Sequence, residues 1–378
     1  MTKGIKIRLY PTKAQEELMW KHVHASRFIY NYMLAFQNER YESGEKHLST
    51  FDMDKLLTSL KKQDKFTWLN EVSNRMLYVS CADLSDSFSR FFKKQSKHPR
   101  FKSRKKAKSN FPTRSERLYF KDGSANIEKV GKVKYKTDYD LPQGRGFKYS
   151  NARVSFKNGK WMLSFSIECE NQAQELNDYS MGIDLGIKDL AVVSYGEDSL
   201  VFHNINKSRT VRTLKRNIRL LQRRISRKYE HNKRGGKFVK TRNIERCEEK
   251  LRKMYARLSN IRNNYIHQTT HNLVSLLPKR VVMENLNVRG MMKNRHLSKA
   301  AQEQCFYEFI RQMKYKCEWN GIEFVQVDRF YPSSKTCSCC GNVKRGLRLS
   351  DRTYVCNECG FTIDRDLNAA INLMRYEG

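Results

Sequence analysis

No stretch of the 378-residue sequence approaches the roughly 18 consecutive apolar residues of a membrane-spanning helix, which argues against a helical membrane protein. The opening residues, MTKGIKIRLYP, have no apolar core of the kind a secretory signal carries. These absences point to a soluble chain working in the cytoplasm. Acidic residues are scarce, 39 against 74 Lys and Arg, for a formal net charge of +35. A chain so basic repels itself unless a polyanion neutralises it. Nucleic acid fits, because its phosphates recur at regular spacing. A disulfide framework is lacking despite ten cysteines. Four of them form two Cys-x-x-Cys pairs near the C-terminus, while Cys81, Cys169, Cys247, Cys305, Cys317 and Cys339 are scattered. Without a secretory signal that distribution favours metal over disulfides.

What is present is a folded chain long enough for two or three domains, 39% hydrophobic and 11% aromatic. In GIKIRLY (4–10), Ile5, Ile7 and Leu9 alternate with Lys6, Arg8 and Tyr10, the pattern of a half-buried strand. Pro11 ends it, and Thr12-Lys-Ala-Gln15 forms a capping box opening a helical stretch over 12–95. KKQSKHPRFKSRKKAKSNFPTR (93–114) has no apolar periodicity and reads as a basic loop. Its Arg100, Lys102, Arg104 and Lys105, lacking an apolar anchor, are expected to contact nucleic-acid phosphates. Strands follow to about 170. In ARVSFKNGKWMLSFSIE, Asn158-Gly159 suits a two-residue type I′ turn. Such a turn pairs Phe156 with Trp161, Val154 with Leu163 and Ala152 with Phe165, all on one face. The expectation is a small β-barrel completed by the N-terminal strand, with the helices inserted in it.

Beyond 204 a helical hairpin turns at Gly235-Gly236. Leu214, Ile218, Leu221 and Ile225 form one seam; Ile244, Cys247, Leu251, Met254, Leu258, Ile261 and Tyr265 form the other. Arg212, Arg216, Arg219, Arg223, Arg252 and Arg257 fall on the outer faces and read as phosphate-tracking. Then come a strand (279–285), one helix with a stripe at 301, 305, 309, 313 and 317, a strand (322–328), a cysteine-rich segment and a last helix from about 367.

Three carboxylates stand out. In MGIDLGIKDLAVVS, Ile183, Leu185 and Ile187 face one way; Gly182, Asp184 and Gly186 face the other. The glycines leave room beside Asp184 for a close approach. Glu284 ends the apolar run RVVME. Asp366 is placed directly before the last helix, where the macrodipole favours an ionised carboxylate. Three strands, helices, a strand, a helix, a strand and a helix is the order of an RNase H-like fold, whose acids lie on the first strand, the fourth strand and the C-terminal helix. Three such carboxylates can hold two Mg²⁺ ions for in-line phosphodiester hydrolysis.

GIDLGIKDLAVVS, VMENLNVRGM and CSCCGN…YVCNECGFTIDRDLNAAIN resemble the TnpB family, transposon-encoded RNA-guided DNA endonucleases of bacteria and archaea related to type V CRISPR effectors. IKIRLYPTKAQ and HPRFKSRKK extend the likeness over nearly the whole chain. The resemblance implies an α+β multidomain protein. A wedge-like β-barrel would span 1–11 and 96–178, with a helical recognition insertion at 12–95. A RuvC-like nuclease would span 179–333 and 362–378, with an inserted zinc-binding, target nucleic-acid-binding module at 334–361. It places the catalytic acids on Asp184, Glu284 and Asp366; Asp364, two residues earlier, competes, but Asp366 holds the D-x-N-A-A register. It implies a guide RNA, target double-stranded DNA read beside a short flanking motif, and a monomer on one guide. Two alternatives stand beside this reading. One is a DDE-type transposase, whose usual acid order is Asp, Asp, Glu. The other is a guide-dependent DNA-binding repressor without catalysis.

Cys337-x-x-Cys340, fifteen residues, then Cys356-x-x-Cys359 is a zinc signature. Gly341 and Gly360 follow each pair and allow a tight knuckle turn. That placement selects Cys340 over the adjacent Cys339. Four thiolates fill a tetrahedron, so the expected zinc is a single structural ion.

Overall fold

The computed structural model describes residues 2–104, 107–144, 146–169, 174–348 and 351–377. They form two compact units, Met1–Glu170 and Asn171–Gly378. The first unit runs β1 (Thr2–Tyr10), α1 (Lys13–Glu42), α2 (Thr50–Leu60), a 3-10 turn, α3 (Asn74–Phe92), β2 (Ser109–Pro112), β3 (Phe120–Lys121), β4 (Ser124–Ile127), β5 (Gly131–Lys136), β6 (Tyr149–Lys157) and β7 (Lys160–Glu168).

The alternation in the N-terminal segment does make a strand. Ile7 and Leu9 are buried, and β1 lies between β7 and β5 in a seven-stranded sheet of order β2-β6-β7-β1-β5-β4-β3. Both halves of the capping box form: Gln15 N–H donates to Thr12 Oγ1, and Thr12 N–H donates to Gln15 Oε1. Asn158 and Gly159 have φ of 55° and 76°, as a type I′ turn requires. Phe156 pairs with Trp161 and Val154 with Leu163. The third expected pair does not form. The register shifts between Ser150 and Arg153, so Asn151, with φ of 53°, and Ala152 together stand opposite Phe165. The strand order is linear, and among the described residues no ladder joins β2 to β3 to close a barrel. The inserted helices share one core with the sheet. Met19, Ile29 and Met33 of α1 and Met76 and Leu84 of α3 pack in the same cluster as Phe111, Val154 and Leu163.

The second unit runs β8 (Asn177–Leu185), β9 (Asp189–Tyr195), β10 (Asp198–His203), α4 (Arg209–His231), β11 (Lys233–Arg234), β12 (Lys237–Phe238), α5 (Arg242–Val274), β13 (Pro278–Met283), α6 (Val288–Lys293), α7 (Ser298–Gln304), α8 (Phe306–Trp319), β14 (Glu323–Gln326), β15 (Thr353–Val355), β16 (Thr362–Asp364) and α9 (Arg365–Met374). Its main sheet has the order β10-β9-β8-β13-β14. β8, β9 and β10 are antiparallel neighbours, whereas β13 is parallel to both β8 and β14.

One face of this sheet packs Met181, Ile183, Leu185, Val281 and Met283 against Phe306, Phe309 and Met313 of α8 and Ile266 and Leu273 of α5. The other face carries α9, where Val282 meets Leu373. The helical hairpin of α4 and α5 turns at Gly235-Gly236, both left-handed, with Val211, Leu214, Ile218 and Leu258 buried in its seam. The helix expected across 301–317 is two helices. Cys305 adopts a left-handed φ of 56° between α7 and α8, although 301, 309, 313 and 317 are buried as the stripe requires.

Candidate carboxylate centre and thiolate site

Strand periodicity puts Asp184 on the sheet face that carries α9, two residues beyond Gly182. A Cβ on Gly182 would lie 2.0 Å from the Ala370 carbonyl oxygen and 2.3 Å from the Met374 nitrogen. Only glycine therefore lets the α9 backbone lie on β8. The room that the sequence leaves beside Asp184 is filled by the helix that brings Asp366.

Parallel pairing supplies the second acid. Val282 pairs with Gly182 and Met283 with Ile183, so the next residue of β13's chain, Glu284, comes level with Asp184. Ser333 Oγ donates to Glu284 Oε1 at 2.5 Å.

Asp366 is the second residue of α9 rather than the residue before it. The N-cap is Asp364, which accepts from Asp366 N–H at 2.9 Å and Leu367 N–H at 3.2 Å. The competitor thus spends its carboxylate on the cap and remains 45% exposed. Asp366 is largely covered, and its Oδ1 accepts from the Arg365 guanidinium at 3.2 Å.

Asp184 itself is half-buried, reachable by solvent but hemmed in by protein. Burial pushes its pKa well above the usual carboxylate range. The negative charges of Glu284 and then Asp366 push the same way, with Arg365 opposing. The three sequence-distant acids therefore share one electrostatic environment with an excess of negative charge. Hard carboxylate oxygens in such an environment fit a hard divalent cation such as Mg²⁺.

The cysteines form a second cluster. Among the described residues, Cys337, Cys340, Cys356 and Cys359 are the one His, Cys, Asp or Glu set whose ligand atoms all lie within 4.8 Å of one another. Cys337 and Cys359 sulfurs are 3.7 Å apart, and Cys340 and Cys356 sulfurs 3.6 Å. Cys339 stays outside the cluster. Gly341 and Gly360 adopt φ of 78° and 70°, the left-handed turns expected after each pair. Backbone N–H groups of Cys359 and Glu358 help to draw the Cys356 thiol down to about 6. A thiolate donor set of this spacing fits tetrahedral Zn²⁺.

In the basic loop, Arg100 and Arg104 are exposed, and Lys105 lies outside the described residues. Lys102 departs from expectation. Its ammonium sits 3.4 Å from the Tyr30 ring centroid, and burial lowers its pKa to about 8. The loop is also anchored, because the Asn31 side chain bonds both the N–H and the carbonyl of Lys102. Sequence reasoning missed Ser333 and Arg365 as neighbours of the acids. Arg365 was readable as the residue beside Asp366, whereas nothing local marks Ser333.

Three family models match the chain. Residues 1–46 match HTH_OrfB_IS605, a helix-turn-helix domain; residues 164–295 match OrfB_IS605, described as a probable transposase; residues 306–373 match the Cas12f1-like TNB domain. A Streptomyces pristinaespiralis protein, named as an RNA-guided DNA endonuclease, is 29% identical over 98% of this chain and 88% of its own length. InsQ of Escherichia coli K12, which carries the same name, is 28% identical over 98% of this chain and 91% of its own. These matches support the likeness to the TnpB family. A Cas12f1 structure solved with guide RNA and target DNA matches 99% of this chain and 98% of its own at a TM-score of 0.61 and 13% identity, a likeness of fold alone. One detail differs from the matched helix-turn-helix description: the described residues there are the strand β1 followed by the single long helix α1.

Proposed function

We propose that the chain is an RNA-guided DNA endonuclease. It binds a transposon-derived guide RNA as a monomer, reads a short flanking DNA motif and cleaves the target by two-metal hydrolysis. The observation that carries this reading is the convergence of Asp184, Glu284 and Asp366 on one face of the sheet, with the Asp184 pKa raised by burial first and then by the charges of the other two. Relatives named for RNA-guided DNA cleavage support it. Asp184, Glu284 and Asp366 would hold Mg²⁺, which supplies charge stabilisation to the attacking and leaving oxygens of an in-line displacement. Asp184 would contribute a carboxylate, which is a ligand only in its ionised form. Ser333 keeps one oxygen of Glu284 occupied and leaves the other available. Arg365 holds Asp366. Cys337, Cys340, Cys356 and Cys359 would hold one structural Zn²⁺ in a module serving target nucleic acid.

The test begins by purifying the protein with its RNA from the native locus and sequencing that RNA. Asp184→Ala should abolish Mg²⁺-dependent cleavage while guide and target binding persist. Glu284→Ala and Asp366→Ala should match it, because losses within one catalytic unit do not add. Asp364→Ala should keep residual cutting and lose about 1 kcal/mol of helix capping. Cleavage surviving Asp184→Ala would sink the reading. The matched description as a transposase favours a second reading, which requires strand-transfer products rather than hydrolysed ends.

A further inference from the structure

Four buried polar residues, Ser333, Ser338, Asn368 and Asn372, run end to end between the carboxylates and the thiolates. Ser333 Oγ donates to Glu284 Oε1, and the Ser333 carbonyl accepts from Asn372 Nδ2 at 2.7 Å. Asn372 Nδ2 also donates to the Thr336 carbonyl at 2.7 Å. Asn368 Nδ2 donates to that same carbonyl at 2.7 Å, while its Oδ1 accepts from Ser338 N–H at 3.0 Å. Arg375 donates to the Ser338 carbonyl. Asn368 and Asn372, four residues apart, share one face of α9, the helix that carries Asp366. The segment they grip, 333–338, contains Cys337, the first thiolate.

Polar groups this deep are costly unless paired. Once paired, they specify a single arrangement. Apolar side chains could bind α9 to this segment equally well, but they could not orient a carboxylate. A hydroxyl held by its own backbone anchor can.

We propose that Ser333 is a positioning residue for Glu284, and that Asn368 and Asn372 set its place from the thiolate module. Assembly of that module then tunes the metal affinity of a centre built elsewhere in the sequence. This inference rests on the metal-dependent nuclease reading above.

The test uses Mn²⁺ as the probe, with its binding to the full-length RNA-free protein measured by electron paramagnetic resonance. Ser333→Ala should weaken Mn²⁺ affinity about ten- to hundred-fold, the range for groups that orient metal ligands. Zinc content should stay at the wild-type value, and the metal concentration for half-maximal cleavage should rise in step. Ser333→Thr should restore affinity. Should Ser333→Ala fail to fold, Ser333→Thr against Ser333→Val, equal in shape, isolates the hydroxyl. Cys340→Ser should lose zinc and weaken Mn²⁺ binding, whereas Cys339→Ser should do neither. Unchanged Mn²⁺ affinity in Ser333→Ala, with affinity lost in Asp184→Ala, would overturn the inference and leave the nuclease centre standing. Mn²⁺ binding intact in Asp184→Ala would overturn the centre itself. Zinc loss in Cys340→Ser without any change in Mn²⁺ affinity would overturn the coupling.

Discussion

His22 shows how a single side chain that belongs to no candidate site can make stability depend on pH. The ring is fully buried on α1. Its Nε2 accepts from Ser73 N–H at 3.2 Å, so that nitrogen carries no proton, and Nδ1 donates to the Leu18 carbonyl at 2.8 Å. Both nitrogens are satisfied only in the neutral ring. Burial accordingly lowers its pKa below the ordinary 6.5. The unfolded chain takes up a proton at pH values where the fold does not. The stabilisation is therefore complete above about pH 6.5 and is lost as pH falls from there through the folded value. His22→Gln should cost more stability at pH 7 than at pH 5 in denaturant titrations. A cost equal at both pH values would mean that the ring is not held neutral. The sequence shows a histidine within a helix but not its partner 51 residues away, so this dependence was not readable beforehand.

At the scale of an element, α9 depends on one missing methyl group. Gly182→Ala forces a Cβ into the helix backbone, which cannot yield as a flexible side chain would. Overpacking of this sort typically costs about 1–3 kcal/mol. Because α9 carries Asp366, cleavage should fall much further than stability. Gly346→Ala, with open space around its Cβ, serves as the neutral control. A Gly182→Ala protein with wild-type cleavage would show that α9 does not need this approach. The period-two pattern of β8 already separated Asp184 from Ile183, and the turn chemistry of Asn158-Gly159 marked its hairpin. The bulge at Asn151 and the break at Cys305 left no comparable trace. Neither position holds glycine or proline, although both adopt a left-handed backbone; asparagine tolerates it better than most residues, but a lone asparagine in a strand does not announce a bulge. The start of α9 is also ambiguous in the sequence: Asp364 and Asp366 can both cap a helix, and only the hydrogen bonds to Asp364 decide between them.

Across the whole molecule the excess of positive charge predicts salt-sensitive nucleic-acid binding, with contributions that are unequal even within one loop. Arg100 and Arg104 are exposed, whereas Lys102 is drawn onto Tyr30. Replacing both arginines with alanine should flatten the dependence of log affinity on log salt by roughly one charge per lost phosphate contact. Lys102→Met should leave that slope nearly unchanged. The reverse ranking, read from filter binding at several salt concentrations, would show that Lys102 faces phosphate after all. Composition told that the surface is basic; it could not tell which lysine the fold had turned inward.

The turn at Gly235-Gly236 is exposed and falls between the first acid and the other two. A chain divided there would yield one fragment with Asp184 and another with Glu284 and Asp366, and neither would own a complete centre. Rejoining them requires β13 to find β8 in the register that sets Val282 against Gly182. Exposed loop tips are the places where chains best tolerate interruption. Two silent fragments, fused to partners that meet only under a chosen condition, should then regain cleavage when those partners meet. The hairpin that separates the acids along the chain would make this nuclease a reporter of proximity.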